Sequence, residues 1–246
     1  MTDLTGRVTM VTGGGSGLGR ATSRLFAESG AHVLVADIDE GGAKQTVDAI
    51  EEAGGSAEAV AVDVADREAV DAVIGSAFER HGVRFDCLVN NAGTDRGADL
   101  VDIDDAQWHQ VFGVNVHGPM YTSRAFVRGR LALDEEGGLA DLVNVVSISA
   151  LTVGAGAAAY NSSKAALGKL TEVLQTEARE HGWPVRVCAI HPAAMNTPMM
   201  EQWSLPQERM MDPRIVAELI RHAITLPPEA VLVNAIPTLR NEYFPR

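Results

Sequence analysis

Val8-Thr9-Met10-Val11-Thr12-Gly13-Gly14-Gly15-Ser16-Gly17-Leu18-Gly19-Arg20 is the stretch that decides the fold of this 246-residue chain. Val8–Thr12 is mostly β-branched and reads as a strand, the glycines read as a turn, and Arg20–Ser29 carries helical spacing. In a strand-turn-helix context, glycines let the backbone approach a pyrophosphate, and the helix N-terminus then faces the anion. Out of that context the same glycines read equally well as a flexible turn. Their position directly after the first strand favours the phosphate reading.

The same alternation continues outward from this unit. Further strands are expected at His32–Asp37, Ala57–Val62, Cys87–Asn90, Leu142–Ser147, Arg186–Ile190 and Val231–Ala235. Helices are expected at Gly41–Ala53, Arg67–His81, Asp105–Leu133, Ala157–Glu180 and Arg214–Thr225. Repeated strand–helix–strand units predict an α/β domain around a seven-stranded parallel sheet, with near-continuous apolar strands because both faces are covered. Gly30, Gly54, Gly82 and Gly182 follow helix ends, where a left-handed cap is wanted, and Asp66 and Asp104 stand at N-cap positions. Asp134–Gly138 reads as a surface loop, so one domain over 1–246 is expected.

Apolar residues make up 46% of the chain and charged residues 22%, the balance of a globular domain. A net charge of −13 repels phosphate backbones and anionic lipid heads, which argues against nucleic-acid and membrane partners. Apolar runs are far shorter than the roughly 20 residues of a spanning helix. Met1–Arg7 shows no basic segment leading into an apolar one, so a cytoplasmic location is expected. Cys87 and Cys188 lie far apart inside apolar runs and read as buried, inert thiols. No HExxH or clustered Cys/His set is present, so no metal is expected.

Asp37 closes the second strand 20 residues beyond Gly17, where an acidic side chain accepts the ribose hydroxyls of an adenosine; as a bland alternative it is a turn residue. Ser16, Ile38, Asp39 and Glu40 supply no cation for a 2′-phosphate, and the carboxylates among them repel one. The sequence therefore favours NAD over NADP.

Tyr160-Asn161-Ser162-Ser163-Lys164 puts a phenol and an ammonium on one helix face. A lysine cation and a positive nicotinamide ring would stabilise the phenolate and lower a pKa that otherwise lies near 10. That would make general acid–base work feasible. Alone, this spacing is common on solvated helix faces. Here Ser147 lies 13 residues upstream at a strand end, where its hydroxyl reads either as a donor to a substrate oxygen or as a turn former.

With these residues the chain resembles the short-chain dehydrogenase/reductase family over essentially its whole length. Thr12-Gly13-x-x-x-Gly17-x-Gly19, Asp63-Val64, Asn90-Asn91-Ala92-Gly93, Asn115, Ser147, Tyr160-x-x-x-Lys164 and Pro192 through Thr197 match in order and spacing. The resemblance implies a three-layer, doubly wound Rossmann fold and a catalytic set of Asn115, Ser147, Tyr160 and Lys164. It further implies that Asn115 holds a water in a relay from Lys164, whose ammonium also bonds the nicotinamide ribose. The cofactor set is Gly13, Gly15, Ser16, Gly17, Leu18, Gly19, Asp37, Ile38, Asp63, Val64, Asn91, Ala92 and Gly93, with Tyr160, Lys164, Pro192, Met195 and Thr197. Read from the residues alone, Asn115 would be a helix-kink residue. Where the family has Pro-Gly this chain has Pro192-Ala193, and the Leu133–Ala140 segment looks slightly lengthened.

The expected reaction is hydride transfer between NAD and a secondary alcohol or ketone. Thr94–Leu100, Ser149–Ala159 and the Met-rich Met195–Met211 with Trp203 would shape specificity toward an apolar or ring-containing substrate. The rivals are an NADP-dependent 3-oxoacyl carrier-protein reductase, opposed by Asp37, and a catalytically silent dinucleotide sensor, which would be expected to have lost Tyr160 or Lys164. Apolar residues on several faces of Val114–Leu133 and Ala157–Glu180 suggest core packing together with a dimer or tetramer interface.

Overall fold

The computed structural model describes residues 3–133, 138–203 and 205–241. The chain alternates β1 (Val8–Thr12), α1 (Gly17–Glu28), β2 (His32–Asp37), α2 (Glu40–Glu52), β3 (Ser56–Ala61), α3 (Arg67–His81) and β4 (Phe85–Asn90). It continues through α4 (Asp105–Phe112), α5 (Gly118–Leu131), β5 (Ala140–Val145), α6 (Ala158–Glu180), β6 (Val185–Ile190), α7 (Pro213–Ile224) and β7 (Asn234–Ala235). The seven strands form one parallel sheet in the order β3-β2-β1-β4-β5-β6-β7. The chain leaves β1 toward one edge and returns to lay β4 on its other side. This creates a crevice at the carboxyl ends of β1 and β4, the topological switch point where such sheets bind ligands.

Alternate strand residues feed two buried layers. Val11, Val35, Val89, Val143 and Ile190 belong to the layer with Phe26 of α1, Val47 of α2 and Ile220 of α7. Met10, Leu34, Leu88, Leu142 and Val187 pack in the other layer with Ile74 of α3, Phe126 of α5 and Ala178 of α6. Fully covering both faces explains the continuous apolar reading of the central strands. Within the second layer, Asn90 bonds Ser123, Thr122 and Asn144, and Asn144 reaches Thr171. That satisfied polar chain ties β4 and β5 to α5 and α6 just below the crevice.

The capping expectations hold. Gly30, Gly54, Gly82 and Gly182 all have positive φ, and the side chains of Asp66 and Asp104 accept amide bonds from the first turns of α3 and α4. Two elements differ from expectation. The helix expected over 105–133 is broken by a π turn at Gly113–His117, because Asn115 turns inward to bond residue 94. The last strand pairs only at Asn234–Ala235: Val233 still accepts from the Ala189 amide, but Val231 and Val233 are about half exposed at the sheet edge. Of the expected loop, 134–137 lie outside the described residues, and Gly138 has φ +62. Both cysteines are buried, and burial pushes their thiols up, Cys188 to about 12.

Candidate active site

The glycine-rich loop owes its path to close backbone contacts. Gly13 has φ +64, and a Cβ there would lie 2.9 Å from Ala92 Cα. A Cβ on Gly19 would lie 2.0 Å from the Gly13 carbonyl oxygen. No side chain larger than hydrogen fits at either position. The loop is fastened to the end of β4: Thr12 Oγ1 accepts from the Asn91 and Ala92 amides at 3.0 Å each, and Asn91 Nδ2 donates to Thr12 O at 2.9 Å. Ser16 makes no side-chain cap bond, so the first-turn amides of α1 are left for an anion.

Asp37 sits at the rim. Its Oδ2 accepts from the Gly15 amide at 2.8 Å and its Oδ1 from the Asp39 amide at 2.9 Å, which leaves lone pairs on both oxygens for further donors. Arg20 brings a cation close to the loop. Arg20 donates to the Gly15 carbonyl and to Thr46 Oγ1, behind the loop rather than in the crevice wall. Nothing in the linear sequence shows which way Arg20 points.

The crevice is a cleft of about 780 Å³, within the usual range for cofactor and ligand sites. All the expected cofactor residues line it except Gly15 and Gly19, which shape the loop from behind. Ala193 is buried without a positive φ, and its amide donates to Pro237 O, so the backbone there accepts a Cβ.

Tyr160, Lys164 and Ser147 line the same cleft; Asn115 stands behind the wall. Ser147 follows β5 and its Oγ accepts from the Ser149 amide, so it both makes a turn and faces the cleft. Lys164 is 3% exposed, and its Nζ donates to Val145 O at 3.0 Å, 5.7 Å from the centre of the Tyr160 ring. Burial lowers the ammonium to about 8, against the opposing pull of Asp95. Burial pushes the Tyr160 phenol up to about 12; a hydrogen bond with Ser147 opposes the rise and the Asp95 charge adds to it. The expectation of a lowered phenol pKa is therefore corrected for the protein alone: desolvation wins, and the ammonium is turned toward Val145 O.

Both donors and one acceptor site of the Asn115 side chain are engaged. Its Nδ2 donates to Thr94 O and Ser163 Oγ, and its Oδ1 accepts from the Thr94 amide. These bonds fasten the segment after β4 to α6 beside Gly93. Ser163 escaped the sequence reading because it sits inside the Tyr-x-x-x-Lys spacer. His191, the titratable side chain beside Ser147 O, is buried away from the cleft wall, with ring nitrogens 3.2 Å from Ser147 O and 3.4 Å from Asn234 Oδ1. The fold also gathers His32, Glu58 and His81, whose ligand atoms lie within 4.8 Å of one another at a sheet edge. Arg80 already pairs with Glu58 there at 2.6 Å.

The three expected specificity segments meet over the cleft. Ala98 bridges Ala157, and Trp203 Nε1 donates to Asp95 Oδ2 at 3.1 Å. Met195, Met199, Met200 and Trp203 give that side an apolar wall.

Comparison with known proteins agrees with this geometry. The sequence model for short chain dehydrogenases matches residues 7–208. A 3beta-hydroxysteroid dehydrogenase of Eggerthella lenta is 38% identical over 216 residues, 87% of this chain and 80% of its own. A metagenomic short-chain oxidoreductase solved with NADP superposes with a TM-score of 0.82 at 28% identity, covering 97% of this chain and all of the other. A 3-ketoacyl-(acyl-carrier-protein) reductase of Brucella melitensis solved with NADH gives 0.85 at 28% identity, covering 95% and 98%.

Proposed function

Because the chain belongs to the short-chain dehydrogenase family and is an oxidoreductase, we propose that it is an NAD-dependent dehydrogenase interconverting a secondary alcohol and a ketone. One observation carries the reading: Ser147, Tyr160 and Lys164 line a single cleft with the glycine-rich loop and Asp37. NAD fits the residues present, because Gly13 and Gly19 leave no room for a Cβ, no side chain caps the first-turn amides of α1, and Asp37 offers acceptors to ribose hydroxyls while repelling a 2′-phosphate. No cation lines the cleft near Asp37 among the described residues, and Arg20 is held by the loop's own carbonyl.

When bound, NAD supplies the carbon that accepts hydride. The protein's part is orientation and proton handling. Ser147 Oγ and the Tyr160 hydroxyl hold the substrate oxygen, and Tyr160 takes the alcohol proton as hydride leaves the substrate carbon. A positive nicotinamide ring beside the phenol would bring its pKa back down from about 12, so that proton transfer becomes feasible only in the loaded cleft. Lys164 keeps a cation near the phenolate and within reach of the nicotinamide ribose. Asn115 acts through Thr94 and Ser163, which fix the floor under Lys164.

The methionine and tryptophan wall, together with the resemblance to a hydroxysteroid dehydrogenase, supports an apolar or ring-containing substrate. Half-exposed Leu131 on α5 and Val173 on α6 support assembly into a dimer or tetramer. Titration with NADH and NADPH, followed by a screen of ring alcohols, ketones and a 3-oxoacyl thioester, tests the reading. NADH should bind more tightly, and Asp37→Ala should narrow the gap. Equal affinities would overturn the cofactor assignment, and turnover of the thioester alone would favour the acyl reductase.

A further inference from the structure

Asp95 lies two residues beyond Gly93 and is only 5% exposed, although it lines the cleft. Buried carboxylates are normally paired with a cation or saturated with donors. Asp95 has neither. Among the described residues no ion pair reaches it, and the adjacent Arg96 spends its guanidinium on the Asp95 carbonyl rather than on the carboxylate. One carboxylate oxygen, Oδ2, accepts the Trp203 indole N–H; the other, Oδ1, is buried without a partner.

Nothing in sheet packing calls for such a group. Asp95 lies in the segment after β4, outside the strands, and an apolar residue of the same shape would avoid the desolvation cost. What the carboxylate does accomplish is a link over 108 residues. Trp203 belongs to the segment after β6, and its ring packs against Gly97, where a Cβ would lie 3.2 Å from the indole Cη2. Gln202 Oε1 accepts from the Gly97 amide at 3.4 Å, a weaker second tie between the same segments. The Ala98–Ala157 bridge then joins this pair to the third specificity segment.

We propose that Asp95 is a positioning residue whose carboxylate grips Trp203 and so holds the segment after β6 against the segment after β4, fixing the apolar wall of the substrate pocket. The effect on turnover rests on the dehydrogenase reading of the cleft. The grip itself does not. It is also what makes the pocket's shape respond to residue 203: the indole is anchored at its N–H, so its ring presents a fixed apolar wall to the substrate. Burial holds the Asp95 carboxyl above its ordinary range, with the Trp203 indole, the Arg96 backbone N–H and the Arg96 and Lys164 charges opposing.

Hydrogen exchange of residues 195–203 tests the grip directly in the full chain, with and without NADH, for wild type, Asp95→Asn, Asp95→Ala, Trp203→Phe and the Ala/Phe double variant. A lost hydrogen bond to a charged group corresponds to roughly tenfold to a hundredfold in a local opening equilibrium. Exchange should therefore accelerate by about that much in Asp95→Ala and in Trp203→Phe, with no further gain in the double variant, whereas Asp95→Asn, which keeps an acceptor, should stay near wild type. With a turned-over alcohol, Asp95→Ala and Trp203→Phe should raise KM more than they lower kcat, leaving NADH affinity within about twofold. Unchanged exchange in both single variants, or effects that add in the double variant, would overturn the proposal. Should Asp95→Ala not fold, Trp203→Phe and Asp95→Asn still decide it. Loss of all substrate turnover from the wild type would count against the dehydrogenase reading and leave the exchange result standing.

Discussion

The two ends of the sheet bury similar residue types and use them in opposite ways. At the amino end, Arg7 bonds Asp86 at 2.9 Å and Asp141 at 2.7 Å, and Arg186 bonds Asp141 at 2.8 Å. The same two guanidiniums take the carbonyls of Ile224 at the end of α7 and of Leu226, Pro227 and Ala230 beyond it. At the carboxyl end, Lys164 is left with one carbonyl, the Asp95 carboxylate has one oxygen without a partner, and burial pushes the Tyr160 phenol up to about 12. Charges that are saturated on all sides fix β1, β4, β5 and β6 relative to α7. Charges left short of partners are the ones a bound ligand can complete, which is why perturbed groups gather at functional sites.

The sharpest way to break this contrast is to remove the hub of the saturated end. Asp141→Ala takes the carboxylate from Arg186 and one of two from Arg7, and should cost about 3–5 kcal/mol of stability, as losing one partner of a buried ion network typically does. Denaturant unfolding measures the loss. The surviving folded fraction should keep its cofactor affinity, because Asp141 does not line the cleft. A stability change near zero would mean that the amino end is not the brace described here.

Lys164→Met sharpens the contrast from the other side and should have a smaller effect that depends on pH. The folded-state ammonium sits at about 8 against an ordinary 10.5, so folding is penalised while the unfolded chain holds a proton that the native state disfavours. That penalty is complete below pH 8 and disappears as pH rises from 8 to 10.5. The methionine variant should therefore gain most over wild type at neutral pH and lose that advantage across the same window. The Val145 carbonyl left without its donor adds an offset independent of pH. Thermal unfolding of both proteins across the window is the check, and a constant difference in Tm would contradict the buried-cation account.

How much of this was legible in the sequence follows from how local each signal is. The glycine loop is contiguous, the Tyr160–Lys164 pair is one helical turn apart, and Asp37 closes the next strand at a fixed distance from the loop, so spacing alone brings them forward. The break at Gly113–His117 was half legible: Asn115 reads as a helix-kink residue, but its bonds to residue 94 depend on a segment 21 residues away. The Asp95–Trp203 bond joins two specificity segments whose loop character could be read, but whose contact depends on the sheet order. The raised phenol of the protein alone was hidden for a related reason. Neighbouring charge can be counted along a helix, whereas desolvation depends on what the rest of the chain covers.

If the carboxyl end works through one proton at Tyr160, Tyr160→Phe exposes it with the least other change. The variant keeps the ring and its packing and loses only the hydroxyl, so thermal stability and NADH affinity should match wild type. Turnover of an alcohol identified in the screen should fall by at least about 10²–10⁴-fold, the contribution typical of general acid–base catalysis. Near wild-type turnover by a folded, NADH-binding Tyr160→Phe protein would contradict the account and require another group to carry the proton.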